Sequence, residues 1–546
     1  MSHSDRAWTE KITSTEIIGL IAVSALMLLL LLYTHLRLQD YAHDDAYIHF
    51  RIANNLVDYG VPYFNPSEPI KASSSSGWTL LLSGVLWLSR LFGSATDLRT
   101  LAAIVNSVLT TCGALIYTLL LVRLSEGNQR FNVFYLGFLV AYVSLTIPPS
   151  IGLMETATAL VIAGVAFHLL LSDSKYCLLL FSASVFFRPE LVILLVLVVF
   201  YVIARRRFSY KDTLLFSLLG ALPFLIYDYF FFGTVLPNAV KAKAVVYSLS
   251  YRDTLLTILS RLLDDLPLSS ACKFCVSYEV AFAYVVFLLG LVGAHIGIFT
   301  FREVRCLGRC SADQRSYLSG LILLWGIGVL GAYVATKTYI FPWYEPLYVV
   351  PMLIVIGKTI LGTRSPFAPL GLVVFAIPML AQMLGLSQVL SAASGNPTCY
   401  QDFEAGARVR QYIQIGSRLF DQYPHATLMT SEIGGLGYGF KGHIVDGVGL
   451  ISPGALRYHP MSVPDERGAG NIGAIPVGFI EETNPELIVS YDIFAEAFLK
   501  SDALDHYVRI KYPVFVEEDM SRSDIKTLWG SEYLNVFIRK DLAPTY

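Results

Sequence analysis

What most limits the fold of this chain is a succession of apolar runs that continues to about Leu384. Most are close to the roughly 20 residues an α-helix needs to cross the hydrocarbon layer of a bilayer. A spanning segment must satisfy its own backbone hydrogen bonds, which points each run to helix. Eleven candidate spans result: 15–36, 99–122, 131–149, 156–171, 176–187, 190–204, 213–232, 279–301, 317–336, 346–361 and 366–385. Composition agrees. The chain is 55% hydrophobic and only 15% charged, whereas a soluble domain carries about one quarter charged residues. A net charge of -2 offers nothing for nucleic acid. The run 17–33 has no small-residue cleavage site behind it and reads as a retained anchor.

The apolar stretch 78–92 is too short for a full crossing and suits an interfacial or re-entrant helix. If it does not cross, Arg123, Arg130, Arg205 to Arg207, Arg302, Arg305, Arg309, Arg315 and Arg364 all share the N-terminal side. The positive-inside rule makes that side cytoplasmic. The opposite face then collects the connection 37–98, the surroundings of Glu155 and of Arg188 to Glu190, the loop 233–278, the turn 337–345 and the C-terminal tail.

Asp44 and Asp45 open the first of these outer connections. A solvated helix cap explains one such aspartate about as well as chemistry does. An adjacent pair at the mouth of a membrane segment is costly there, which favours a catalytic site. Ile48, Ile52 and Leu56 repeat at four-residue steps, so the stretch reads as an amphipathic helix to about Val57, ended by Gly60 and Pro62. An aspartate at its N-terminus stays ionised and can take a proton from an acceptor hydroxyl.

Other polar groups fall on the same side. Asn65 and Glu68 are followed by Lys71 and a serine run, 73–76, that reads as a flexible linker. Trp78, at an apolar boundary, is equally an interfacial-belt residue. Glu155 stands at the outer end of a helix, and Arg188 and Glu190 flank Pro189 at a break between two apolar runs. Arg188, Lys241 and Lys243 are candidates for neutralising a phosphate leaving group. The alternatives are an internal ion pair of Arg188 with Glu155 or Glu190, and snorkelling for the lysines. Trp343 and Tyr344 lie in an aromatic outer turn that can stack on a sugar or prenyl chain or serve as a belt.

Cys272 and Cys275 have CxxC spacing and Cys306 and Cys310 CxxxC, but the topology separates the pairs and rules out a joint zinc site. On the oxidising side, Cys272 and Cys275 are candidates for a local disulfide. No phosphate-binding glycine loop, HExxH motif or nucleophile elbow is present, so neither an ATP-driven machine nor a serine hydrolase is indicated. Two domains are expected: a membrane domain, 1–390, and a soluble α/β domain, 391–546, outside the membrane. In the latter, short strands are expected at 426–430, 443–445 and 485–490, a helical stretch at 403–420, and a glycine-rich turn at 434–439.

The order of these pieces resembles the GT-C superfamily, integral-membrane glycosyltransferases that use polyprenyl-phosphate sugars. Within it, the chain looks most like the bacterial branch containing the mycobacterial terminal β-(1→2) arabinofuranosyltransferase. The likeness is carried by Asp44-Asp45-Ala46-Tyr47-Ile48, Asn65-Pro66 with Glu68, Ser76 with Trp78-Thr79, Gly152-Leu153 with Glu155-Thr156, Arg188-Pro189-Glu190, Leu236-Pro237-Asn238 with Ala242-Lys243, and Glu432 to Tyr438 followed by Val445 to Leu450. Met154 separates Leu153 from Glu155, where the pattern has the Glu directly after Leu.

The resemblance implies a polytopic helical fold with outer juxtamembrane helices, embedded in a bacterial inner membrane. The site and the C-terminal domain would face the periplasm or cell exterior. It implies inverting displacement at an anomeric carbon, with Asp44 as base, Asp45 assisting, and polyprenyl phosphate leaving. Arabinofuranose is the best-matched sugar, and an envelope glycan, lipopolysaccharide or surface protein the acceptor. Residues expected to contact substrate are Tyr47, Arg51, Asn65, Glu68, Trp78, Glu155, Glu190, Asn238, Trp343 and Tyr344. No cofactor is implied; an aspartate pair can hold a divalent metal, but a phosphomonoester leaving group does not call for one. Two other classes compete. A flippase or transporter predicts internal repeats and mid-membrane charges, which the sequence lacks, and an assembly scaffold would not need Asp44 or Asp45.

Overall fold

The computed structural model describes residues 14–38, 42–125, 133–264, 314–362, 389–391, 393–395, 403–461, 474–514 and 531–543. The expected spans 279–301 and 366–385 and the four cysteines of the CxxC and CxxxC pairs lie outside these residues.

Helix α1 (Ser14–Arg37) leads to a hairpin of two shorter helices, α2 (Asp44–Tyr59) and α3 (Ser76–Leu91). There follow α4 (Leu98–Leu124), α5 (Val133–Ile151), α6 (Thr156–Leu171), α7 (Tyr176–Ser184), α8 (Val192–Ala204) and α9 (Tyr210–Phe232). The short α10 (Asn238–Val246) and α11 (Tyr251–Asp264) precede α12 (Gln314–Ala335) and α13 (Pro346–Gly362). Among the described residues, four helices are long and apolar enough to cross a membrane: Glu16–Arg37, Leu98–Leu124, Tyr210–Phe232 and Tyr317–Ala335. The described residues also form shorter apolar helices, Phe134–Ile147, Thr156–Leu171, Pro189–Ala204 and Pro346–Lys358. α9 turns Leu214, Leu218, Leu222, Ile226 and Phe230 outward. That surface is unfavourable in water and costs nothing against lipid tails.

Local chemistry sets the ends of these helices. Asp97 caps α4 by accepting the Thr100 N–H at 3.0 Å. Gly60 closes α2 in the left-handed region, φ 73°, with its N–H on the Leu56 carbonyl. Pro189 breaks the run between α7 and α8 into a 3-10 turn, Pro189–Leu191.

The C-terminal domain starts with α14 (Phe403–Gln422) and alternates β1 (Thr427–Thr430), α15 (Gly434–Gly439), β2 (His443–Asp446), α16 (Val477–Thr483), β3 (Leu487–Tyr491) and α17 (Asp492–Leu499). It ends on β4 (Tyr507–Pro513) and β5 (Tyr533–Arg539). The sheet order is β2-β1-β3-β5-β4. β1 runs parallel to β2 and β3, whereas β5 runs antiparallel to β3 and β4. The three expected strands are β1, β2 and β3; β4 and β5 were not expected. The glycine-rich stretch forms a short helix instead of a turn, and it lies against α2.

Candidate functional site

α2 begins with two consecutive carboxylates, and consecutive residues on a helix point about 100° apart. The fold uses that divergence. Asp44 turns to the C-terminal domain, where its Oδ2 accepts the Gly434 N–H at 2.9 Å and its Oδ1 the Gly435 N–H at 2.8 Å. A side chain at 434 would bring Cβ to 1.8 Å from the Asp44 carbonyl oxygen, so this approach requires glycine. Burial pushes the Asp44 carboxyl up, and the Arg408 guanidinium and the two amides only partly offset it.

Asp45 turns the other way and meets Lys243 of α10, Nζ to Oδ2 3.1 Å. The two side chains keep 26% and 22% of their surface open, whereas the Glu155 and Arg188 side chains keep 2% and 3%. Burial raises the Asp45 carboxyl, but the Lys243 ammonium, by charge and by hydrogen bond, outweighs it and holds the group below the usual carboxylate range. Asp45 is therefore the partly open member of the pair, and Lys243 favours its carboxylate form. The ammonium also stands 4.9 Å from the centre of the Phe341 ring, which stacks on Trp343 at 4.7 Å. Trp343 in turn packs on His43, just before the aspartates, at 4.6 Å.

Behind this pair lies a second charged group. Arg188 donates to Glu155 Oε1 at 2.6 Å and to Glu190 Oε1 at 2.8 Å, and its guanidinium lies 4.4 Å over the Tyr344 ring. Tyr333 adds a hydrogen bond to Glu190 at 3.1 Å. Both members of the ion-pair alternative for Arg188 are thus present at once. The chain reaches Glu155 through Leu153 in the left-handed region, φ 60°, a conformation uncommon for a residue with a Cβ. That turn places Glu155 under Arg188 despite the intervening Met154.

His49 was not singled out from the sequence, although it lies one helical turn beyond Asp45 on the same face. Its Nδ1 pairs with Ser73 Oγ at 3.1 Å and its Nε2 stands 3.7 Å from Glu155 Oε2. Burial depresses the imidazole, favouring its neutral form despite Glu155 and Asp45. The serine run is likewise not a flexible linker. Ser73, Ser75 and Ser76 are buried; Ser75 caps α3, and Ser76 donates to Asp228 at 2.6 Å beside the buried Lys71–Asp228 pair.

Several expected substrate-contacting residues hold the two domains together. Arg51 donates to the carbonyls of Phe64, Phe440 and Gly442 at 2.8, 2.8 and 2.6 Å, and also to Gly437. The Asn65 amide pairs with the backbone of Ile444 in β2, and Glu68 meets His443 at 3.1 Å. Asn238 donates to the Gly449 and Leu450 carbonyls at 2.7 and 2.8 Å. Tyr47 packs its ring against Tyr438 of α15 at 5.1 Å. Trp78, in the first turn of α3, is fully buried. Lys241 points into the open.

No family model matches the sequence, and no curated protein is significantly similar to it. Among solved structures, the chain superposes on the crystal structure of ArnT from Cupriavidus metallidurans bound to undecaprenyl phosphate, with a TM-score of 0.50 at 12% identity, covering 98% of this chain and 100% of that one. The chain thus has an ArnT-like fold, mostly helical with several apolar helices and carrying a small C-terminal sheet domain.

Proposed function

We propose that the protein is a membrane glycosyltransferase that moves a sugar from a polyprenyl-phosphate carrier to an acceptor hydroxyl, with inversion. The observation that carries this reading is the Asp45–Lys243 pair. It sets an ionised carboxylate and a cation side by side, partly open, next to an aromatic wall of Phe341 and Trp343. A direct displacement needs one base for the attacking hydroxyl and one cation for the departing phosphate.

In this reading the acceptor oxygen attacks the anomeric carbon while the bond from that carbon to the phosphate oxygen breaks. The proton passes to Asp45, and the electron pair leaves with polyprenyl phosphate. Donor phosphate draws the Lys243 ammonium away from Asp45, so carrier binding itself makes Asp45 the stronger base. The base thus sits at Asp45, with Asp44 as its anchor, because both Asp44 oxygens are engaged by amides. Arg188 has two carboxylates to satisfy and holds Glu155 and Glu190 in place beside the site. The bound lipid in the solved ArnT structure supports a polyprenyl-phosphate carrier for this chain too. Arabinofuranose as the sugar, an envelope glycan, lipopolysaccharide or surface protein as acceptor, and an inner-membrane site facing the periplasm complete the reading.

The test is incubation of the purified, reconstituted protein with a panel of polyprenyl-phosphate sugars, following release of polyprenyl phosphate and the anomeric configuration of the product. One sugar consumed with inversion is the expected result. A lipid-linked sugar that crosses the vesicle bilayer unchanged would identify a flippase instead. With an ammonium already against Asp45, transfer is expected to persist in a metal chelator.

A further inference from the structure

We infer that the C-terminal domain is a two-point clamp that sets the Asp45–Lys243 pair, with Gly434, Asn238 and Asp446 as positioning residues. The inference rests on the proposed transfer reaction and assigns that reaction a control outside the membrane bundle.

The two members of the pair come from distant parts of the chain, and each part is tied to the same domain. On one side, Gly434 and Gly435 grip Asp44, the immediate neighbour of Asp45. On the other, Asn238 is the first residue of α10, the nine-residue helix that also carries Lys243. Its amide donates to the Gly449 and Leu450 carbonyls. That acceptor loop is itself held from within. The Asp446 carboxylate accepts the N–H groups of Val448 at 2.8 Å and Ile451 at 3.2 Å, and that of Leu450. Between the grips, Asn65 bonds to Ile444 in β2, the strand that ends on Asp446. One domain therefore holds both the carboxylate helix and the ammonium helix. Loss of either grip lets the pair separate while the bundle remains intact. Once separated from Lys243, a half-buried Asp45 keeps its burial penalty and loses the charge that offsets it.

The experiment uses the full-length protein in nanodiscs with Asn238→Ala, Asn238→Gln and Gly434→Ala. Two readouts are taken: hydrogen exchange of α2 and α10, and the acid limb of the single-turnover transfer rate against pH. Asn238→Ala is expected to speed exchange in α10, and Gly434→Ala in the first turn of α2. Both are expected to move the acid limb upward by about one pH unit, and Asn238→Gln restores much of each effect. A lowered rate with the limb in place would overturn the clamp and leave the domain a purely structural or acceptor-binding role. Unchanged exchange in both helices would overturn it too. If the wild type transfers no sugar, the reaction fails, yet exchange still decides whether the two grips exist. Asn238→Ala carries the test where Gly434→Ala does not fold.

Discussion

Asp45 and Lys243 meet at 3.1 Å across 198 positions of sequence, while Asp44, next along the chain, faces the opposite domain. Two adjacent, chemically identical residues thereby stand in different surroundings. One is partly open beside a cation; the other is buried and bound by amides.

Substitution separates them. Asp45→Asn keeps shape and volume and removes the proton acceptor, so single-turnover transfer should fall by at least the 10²- to 10⁴-fold typical of a lost general base, with the thermal midpoint unchanged. Asp44→Asn turns an amide N–H toward the Gly434 or Gly435 donor. It should cost about 1–3 kcal/mol in stability and affect the rate less. The reverse pattern would return the base to Asp44.

Lys243→Gln should displace the pH profile. A carboxyl held low by a neighbouring ammonium acts as a base down to a low pH and fails only as pH falls through its folded value. Without the ammonium, burial is opposed only by the smaller effects of His49 and His43 and raises that value, so the acid limb climbs toward neutrality. Lys241→Gln, at an exposed position, should leave the limb where it is and change the rate little. An unmoved limb in Lys243→Gln would show that another group sets the ionisation of Asp45.

Arg188→Ala leaves two carboxylates, one of them fully buried, without their shared cation. Breaking a buried pair from one side costs about 3–5 kcal/mol, so this variant should unfold at markedly lower temperature. Glu155→Gln in the same chain should recover part of the loss. If Arg188 served the donor phosphate alone, Arg188→Ala would weaken donor binding without moving the thermal midpoint.

The sequence carried the helices of the bundle because each depends on its own composition. Those expected at 15–36, 99–122, 213–232 and 317–336 are the described ones long and apolar enough to cross a membrane. The runs expected at 156–171 and 346–361 correspond to α6 and α13 almost residue for residue. The acidic pair and Arg188 stood out for the same reason: charge beside lipid is expensive. The partners of these residues were not legible. Asn65, Arg51 and Asn238 have the polarity expected of ligand contacts, and they spend it on backbone carbonyls and amides nearly four hundred or two hundred positions away. Nothing local distinguishes a polar side chain that binds a sugar from one that binds a distant loop. The clearest unread signal was the glycine run. Gly434 and Gly435 make little sense as a turn, and the steric need at Gly434 appears only when Asp44 lies against it.

The domain junction also gives the protein a pH-dependent stability of defined sign. Burial pushes the Glu432 carboxyl from its ordinary value of 4.5 up to about 7, although it pairs with Arg408 and is thereby favoured as an anion. The folded state therefore binds a proton more tightly than the unfolded chain, and the resulting stability is fully present below pH 4.5 and lost as pH rises through about 7. Asp446, pushed up to about 6 by burial, acts in the same direction over a lower window. Glu432→Gln cannot titrate, so its thermal midpoint should fall less between pH 4.5 and 7 than that of the wild type, by about 1–3 kcal/mol in stability. Asp446 remains in that variant, so the slope should flatten only in part. A wild-type midpoint that rises across the same interval, with Glu432→Gln losing the rise, would mean that the Arg408 pairing outweighs burial and would reverse the sign.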